Sequence, residues 1–352
     1  MKIPWIFESA VPAARALATG PALLDTVVGA DSDPAVLYGA ALEGEAIALG
    51  AWQRRCDAVQ EEAVADAGVQ VLRRRTGGPM VVASQDVVYV ALCLRHASVL
   101  MDCPSDRLLN RNVRGALGGL TRPGAPAHYP GRDWLTVGRR PAVQVGWDRD
   151  ETGRVLIEMF VAHRRSFVPD GAWIAYPARS EDQFAGKEQV TLEEAWDEVV
   201  DPLQVVRSIA EGHSTRFEGP ITTEHVTVPR TLAGGIEAAE AWVRASADPT
   251  ESTLTWSKLR EVPIGFISAG VRLDGSGTTE DVRVAGDFFQ DRAAPIALSE
   301  RLLGKVPDKG TLAAAAEATW ARGGHQIEGL TDLSAIVGCL DEAVSVCRSA
   351  PK

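Results

Sequence analysis

The stretch VLRRRTGGPMVV, residues 71–82, places three arginines, a hydroxyl and two glycines side by side. Arg73, Arg74 and Arg75 repel one another and would be easier to scatter over a surface. The run before them, Gly68 to Leu72, is short, apolar and bounded by glycine, so it reads as a strand. The run after them, Met80 to Val90, is strand-like again. The arginines, Thr76, Gly77 and Gly78 are therefore expected at a turn between two strands. Positive charge, a hydroxyl and bare backbone N–H groups meet there, which suits a phosphate or a carboxylate. An ordinary Gly-Gly hairpin with solvated arginines meets the same pattern.

The elements around this turn form a mixed pattern. Residues 11–29 read as a helix, and Asp31-Ser32-Asp33-Pro34 as a turn. Residues 51–68 read as a helix stopped by Gly68, with Val59, Ala63 and Ala67 on one stripe. Residues 69–102 are β-branched and alternate, which predicts two or three strands. Residues 104–122 read as helical, 134–147 as a hairpin turning near Gly138, and 154–167 as a further strand. Helices are expected over 190–212 and 230–247. The pattern then changes. DPTEST (248–253) is a polar linker, followed by a hairpin over 265–289 with Asp274-Gly275-Ser276-Gly277 at its tip. Helices near 294–303, 310–321 and 331–348 complete the chain. This divides it into residues 1–247 and a smaller α+β unit, 254–352.

Bulk properties bound the function. A chain of 352 residues has room for two domains. A net charge of −11 argues against a dedicated nucleic-acid binder, so an anionic partner must meet a local basic patch. The five cysteines form no CxxC pair, and reduced thiols in the cytoplasm are expected. The six histidines have no metal-ligand spacing. No signal peptide and no apolar run of membrane-spanning length is expected.

Four segments in register resemble the lipoate–protein ligase family. They are ALGAWQRR (48–55), GVQVLRRRTGG (68–78), GRDWLTVGRR (131–140) and VRVAGDFFQDRAAPIALSERLLGK (282–305). The resemblance implies a biotin/lipoate-ligase-like α+β fold: a mixed β-sheet flanked by helices, with a small accessory C-terminal domain. It implies activation of a lipoate-type carboxylic acid with ATP and Mg²⁺, then transfer of the acyl group to a lysine of a lipoyl or acyl carrier domain. By the same resemblance Arg74 meets the phosphates or the carboxylate, and Thr76, Gly77, Gly78 and Val81 bind substrate. Arg132, Asp133 and Arg139 lie on the nucleotide side, with Asp133 as the metal ligand, and Arg140 takes the place of the family's lysine.

The chain also departs from that pattern. Arg140 is a planar fork in place of a point charge. The small residues that follow the lysine are replaced by Pro141-Ala142-Val143-Gln144, and Pro141 removes a backbone donor. Pro79 replaces a third glycine, Ala83-Ser84 a His-Asp pair, and Arg132 an asparagine. Three readings remain at this level: a ligase, a non-catalytic scaffold that binds a carrier domain or partner protein, and a thiol acyltransferase using Cys103.

Overall fold

The computed structural model describes residues 1–26, 33–180, 182–216, 221–246, 253–321 and 324–349. Residues 248–252 of the expected linker 248–253, and Asp31-Ser32 of the expected turn, lie outside them. The chain opens with β1 (Lys2–Pro12), α1 (Ala13–Thr26), β2 (Ala35–Glu43) and β3 (Glu45–Leu49). Two short helices, α2 (Arg55–Ala58) and α3 (Glu61–Asp66), lead to β4 (Gln70–Arg73), β5 (Val81–Ser84) and β6 (Val87–Leu94). Then come α4 (Leu108–Asn112), α5 (Arg114–Leu120), β7 (Ala127–His128), β8 (Trp134–Val137), β9 (Arg140–Arg149) and β10 (Val155–Ala162). Helices α6 (Leu192–Trp196) and α7 (Pro202–Arg216), strand β11 (Thr222–Val226) and helix α8 (Ala233–Ala245) follow.

Eight of these strands form one mixed sheet in the order β11-β1-β2-β6-β10-β9-β8-β7. β1 runs parallel to both β2 and β11, and the remaining pairs are antiparallel. Every residue of β6 and β10 is buried. Apart from Glu158 in β10, both strands read as apolar runs because both sheet faces are covered. One face packs on α5 and α7, the other on α1 and α8. A smaller sheet, β4-β3-β5, carries the arginine–glycine turn at its end. The mixed sheet with flanking helices is the architecture expected.

The C-terminal segment has its own sheet. Here β12 (Thr255–Trp256), β13 (Arg260–Val262) and β15 (Thr279–Gly286) all pair antiparallel with β14 (Gly265–Leu273). Strands β16 (Phe289–Gln290) and β17 (Ile327–Glu328) form a two-stranded piece. Helices α9 (Ala294–Leu302), α10 (Lys309–Ala316) and α11 (Ser334–Ser349) complete a separate apolar cluster.

The differences from the expected elements have local causes. The helix expected over 190–212 is two helices. Thr191 caps α6 with a capping box to Glu194, Asp197 turns left-handed at φ 53°, and Pro202 restarts the chain as α7. The helix expected over 51–68 breaks at Val59, which is extended and bridges to Ile174. β1 and β11 were not anticipated. They pair across more than 200 residues, a contact no local pattern announces.

Candidate functional site

The turn after β4 is closed upon itself. Arg74 is 1% exposed. Its Nε donates to Thr76 Oγ1 at 3.1 Å, and its terminal nitrogens donate to the carbonyls of Ala48, Gly77 and Pro79 at 3.1, 2.8 and 2.8 Å. Thr76 Oγ1 and its backbone N–H both donate to Glu158 Oε2, at 2.5 and 3.1 Å. Tyr89 donates to the other oxygen of Glu158 at 2.6 Å. Burial lowers the Arg74 pKa to about 10, against the pull of Glu158, so the guanidinium stays charged near neutral pH. A buried charge is costly unless compensated, and here four hydrogen bonds and the nearby charge of Glu158 compensate it.

The two glycines are needed for close approach by the C-terminal segment. Gly78 has φ +96°, and its N–H donates to Phe288 O at 3.0 Å. A Cβ on Gly77 would lie 2.2 Å from Phe288 O, and one on Gly78 would lie 2.7 Å from the Phe289 ring. The Gly77 N–H donates to Trp147 O at 3.3 Å. The N–H groups of Thr76, Gly77 and Gly78 are thus all spent inside the protein. The expectation that Arg74 and this turn present open donors to a phosphate or carboxylate is corrected: burial and the Gly286-Asp287-Phe288-Phe289 strap occupy them. Val81 is likewise buried in the core, pairing with Ala48.

The flanking arginines do structural work of their own. Arg73 donates to the carbonyls of Gly50, Ala51, Gln53 and Ser246. Arg75 pairs with Asp25 at 3.0 Å and Asp148 at 3.4 Å.

Beside the turn lies a cavity of about 310 Å³. Met80, Phe167, Ile174, Ile264 and Phe266 supply its apolar wall, and Gln144, Arg179, Gln183 and Asp287 its polar groups. The size and the mixture of apolar wall with few polar groups suit a small ligand. β9 explains part of this placement. Along the strand Gln144, Gly146 and Asp148 face one side while Val145 and Trp147 face the other. Gln144 reaches Asp133, Gly146 leaves room for Thr76, and Asp148 accepts from Arg292 at 2.6 Å. Asp287 accepts from Gln53 at 2.5 Å, Tyr176 at 3.1 Å and the Phe266 N–H at 2.9 Å. Burial nevertheless pushes its pKa up to about 7.

Asp133 is fully buried. Its Oδ2 accepts from Gln144 Nε2 at 2.9 Å, and its Oδ1 has no hydrogen-bond partner. Burial raises its pKa. With Arg132 it lines a second, polar cavity of about 490 Å³ that also includes Asn110, Tyr129 and Glu328. Arg132 donates to Pro263 O at 2.7 Å. No group of three His, Cys, Asp or Glu able to hold a metal exists among the described residues. Asp133 alone is a poor magnesium cage, because Mg²⁺ demands near-octahedral oxygen ligation. The described residues therefore do not fit a resident metal.

Arg139 and Arg140 are not at either cavity. Both are exposed at the β8–β9 turn, where Arg139 has φ +69°. Arg140 donates to Gln189 O at 2.6 Å. β9 touches the glycine turn at Gly146, six residues further on, which is about 20 Å along an extended strand. By this spacing Arg139 and Arg140 stand apart from Arg74, Thr76, Gly77 and Gly78, so the place of the family's lysine expected of Arg140 is not at the glycine turn. The cation that lines the cavity is Arg179, from an irregular segment. Its guanidinium donates to Pro263 O at 2.9 Å.

Sequence reasoning gave no site role to Glu158, Gln144, Arg179 or Asp287. Glu158 had a signal: one acid inside VLIEMFVA, otherwise an apolar strand, must find a buried cation. Arg179 had none. Cys103 is buried, with Asn112 Nδ2 3.7 Å from its sulfur, and burial raises its thiol pKa. That is the environment of an inert thiol.

The mixed sheet flanked by helices is the fold seen in solved lipoate–protein ligases. The structure is similar to the crystal structure of P. falciparum LipL1 in complex with lipoate, at 11% identity and a TM-score of 0.66, covering 99% of this chain and 100% of that one. It is similar to lipoate-protein ligase A bound with ATP, at 13% identity and a TM-score of 0.54, covering 68% of this chain and 95% of that one. It is also similar to the bipartite lipoate protein ligase of Thermoplasma acidophilum, described with its E2 lipoyl domain, at 13% identity and a TM-score of 0.55, covering 68% and 92%. No family model and no curated protein matches the sequence. Among the described residues, no helix is long and apolar enough to cross a membrane.

Proposed function

We propose that the protein activates a small carboxylic acid with ATP and transfers the acyl group to a lysine of a lipoyl or acyl carrier domain. The observation that carries this reading is the cavity beside Gln144 and Arg179, with an apolar wall and an arginine at its edge that pairs with Glu261 at 3.6 Å. Support comes from the shared fold, since relatives of that fold are described with lipoate, with ATP and with a lipoyl domain.

In the first step a carboxylate oxygen attacks the α-phosphorus of ATP, and pyrophosphate leaves with the bonding pair. In the second, the neutral lysine amine attacks the acyl carbon, AMP leaves, and the amine proton passes to solvent. Arg179 orients the carboxylate and offsets charge as it shifts to the α-phosphate. The apolar wall holds the chain and keeps water from the adenylate. Magnesium, where used, accompanies the phosphates of ATP.

Acid-dependent ATP–pyrophosphate exchange is the test. Exchange with lipoate, octanoate or another acid in a panel, lost in Arg179→Ala, supports the reading. No exchange with any acid sinks it and leaves the binding-scaffold reading in its place.

A further inference from the structure

Lysine is scarce in this chain: six of its 36 basic residues are lysines and the rest arginines. Residues 1–247 hold two, Lys2 and Lys187. Lys2 is paired with Glu224 on the edge strand β11. Lys187 stands beside the cavity. Gln183, four residues earlier, lines its wall. The chain then turns tightly. Ala185 and Gly186 are both left-handed, at φ 55° and 73°, and the Lys187 N–H donates to Phe184 O at 3.1 Å. A turn closed in this way keeps its end Cα atoms within about 7 Å, so Lys187 is held near Phe184. A left-handed alanine is uncommon, and such positions cluster where geometry is constrained for function.

The side chain is placed with the same economy. The Lys187 ammonium lies 5.7 Å from the centroid of the Trp134 ring. Trp134 packs edge-on against Phe184 at 5.9 Å, and Phe184 against Phe167 of the cavity wall at 6.1 Å. Trp134 is also the register partner of Gln144, another residue of that wall. Lys187 is exposed, and no carboxylate among the described residues pairs with it; its neighbour Glu188 lies 3.9 Å from Arg140 instead. A cation resting on a ring face at an exposed site is weakly held, so the amine can leave it.

We propose that Lys187 is a self-acylation site, to which the acyl-adenylate formed in the cavity passes its acyl group within the same chain. The inference rests on the acyl-activation reading above and names a second acceptor for it. The neutral Lys187 amine attacks the acyl carbon and the bond from that carbon to the phosphate oxygen breaks. AMP leaves with the bonding pair, and the amine proton passes to solvent. The amide removes the charge over Trp134 and leaves the acyl chain tethered beside the apolar wall.

The experiment incubates the full chain, without a carrier domain, with ATP, Mg²⁺ and each acid of the exchange panel, and reads intact mass and acylated peptides. A tethered acceptor has an effective concentration of about millimolar, so in micromolar protein Lys187 is expected to react about a hundredfold faster than Lys258, Lys305 or Lys309, at a rate that about tenfold dilution leaves unchanged. Lys187→Arg keeps a cation at the turn and is expected to keep ATP–pyrophosphate exchange while losing the fast incorporation. Exchange without acylation of Lys187 overturns the inference and leaves the acyl-activation reading standing. Incorporation spread evenly over the lysines, and slowed by dilution, overturns it in the same way. No exchange with any acid overturns both.

Discussion

The turn at residues 73–78 and the cavity walled by Gln144 and Arg179 are close neighbours with opposite electrostatic states. At the turn the Arg74 guanidinium and the three successive backbone N–H groups have internal acceptors, while Arg75 Nε lies 3.4 Å from Asp148 without a hydrogen bond. At the cavity, polar atoms of Gln144 and Asp133 are buried without partners. Density of charged and polar side chains in the sequence is therefore a poor guide to where a ligand binds. What matters is which of those groups the fold has already satisfied, and here the residues richest in charge hold the scaffold.

The largest effect that tests this contrast is on stability at the turn. Arg74→Ala leaves Glu158 buried without its cation, which is expected to cost about 3–5 kcal/mol in chemical denaturation. Stability within 1 kcal/mol of wild type, with loss of acid binding, would reverse the roles assigned to the two regions.

Next comes catalysis at the cavity. Arg179→Ala is expected to slow adenylate formation by about 10²–10³. Arg140→Ala, altering an exposed side chain bonded to a loop carbonyl, is expected to change it less than about threefold. The opposite ranking, measured by single-turnover adenylate formation on folded variants, would return the site to the β8–β9 turn.

A smaller effect is expected at Gly78. Its φ of +96° and the Phe289 ring leave no place for a methyl group. Gly78→Ala should lose about 1–3 kcal/mol, and Phe289→Ala in the same chain should recover the steric part only. Full additivity of the two losses would show that strap and turn do not meet.

The mildest is a pH slope at Asp287. Its folded pKa of about 7 lies above the ~3.9 of an unfolded aspartate. Between these values the folded state holds more protons than the unfolded one, so this residue's contribution to stability falls as pH rises from about 4 to about 7 and is level above that. Denaturation midpoints of wild type relative to Asp287→Asn should decline over that window. A flat or rising difference would mean that Gln53, Tyr176 and the Phe266 N–H hold the carboxylate ionised throughout.

Much of the architecture was legible locally. The hairpin tip at Asp274–Gly277 has left-handed Gly277 and an Asp274 carboxylate that accepts the N–H groups of Ser276 and Thr278, as such a turn requires. The runs that became β4, β5, β6, β8, β9 and β10 were visible from apolar, β-branched residues, and the three C-terminal helices from spacing. Helix ends were less so: the breaks at Val59 and Asp197 follow from a bridge to Ile174 and from a left-handed residue that is not glycine.

The site divides along the same line. Residue chemistry along the chain was enough to place Arg74, Thr76 and the two glycines at one turn, because strand periodicity and glycine's backbone freedom act over a few residues. It could not say that Phe288 and Phe289, more than 200 positions away, would cover that turn, nor that Arg179 would reach the cavity wall while Arg140 stayed on the surface. Those outcomes depend on contacts between segments distant in sequence, and on burial, which decides whether an arginine is a ligand's partner or its own scaffold's. Charge and hydroxyl content are local properties. Whether a polar atom is left unsatisfied is a property of the packed whole.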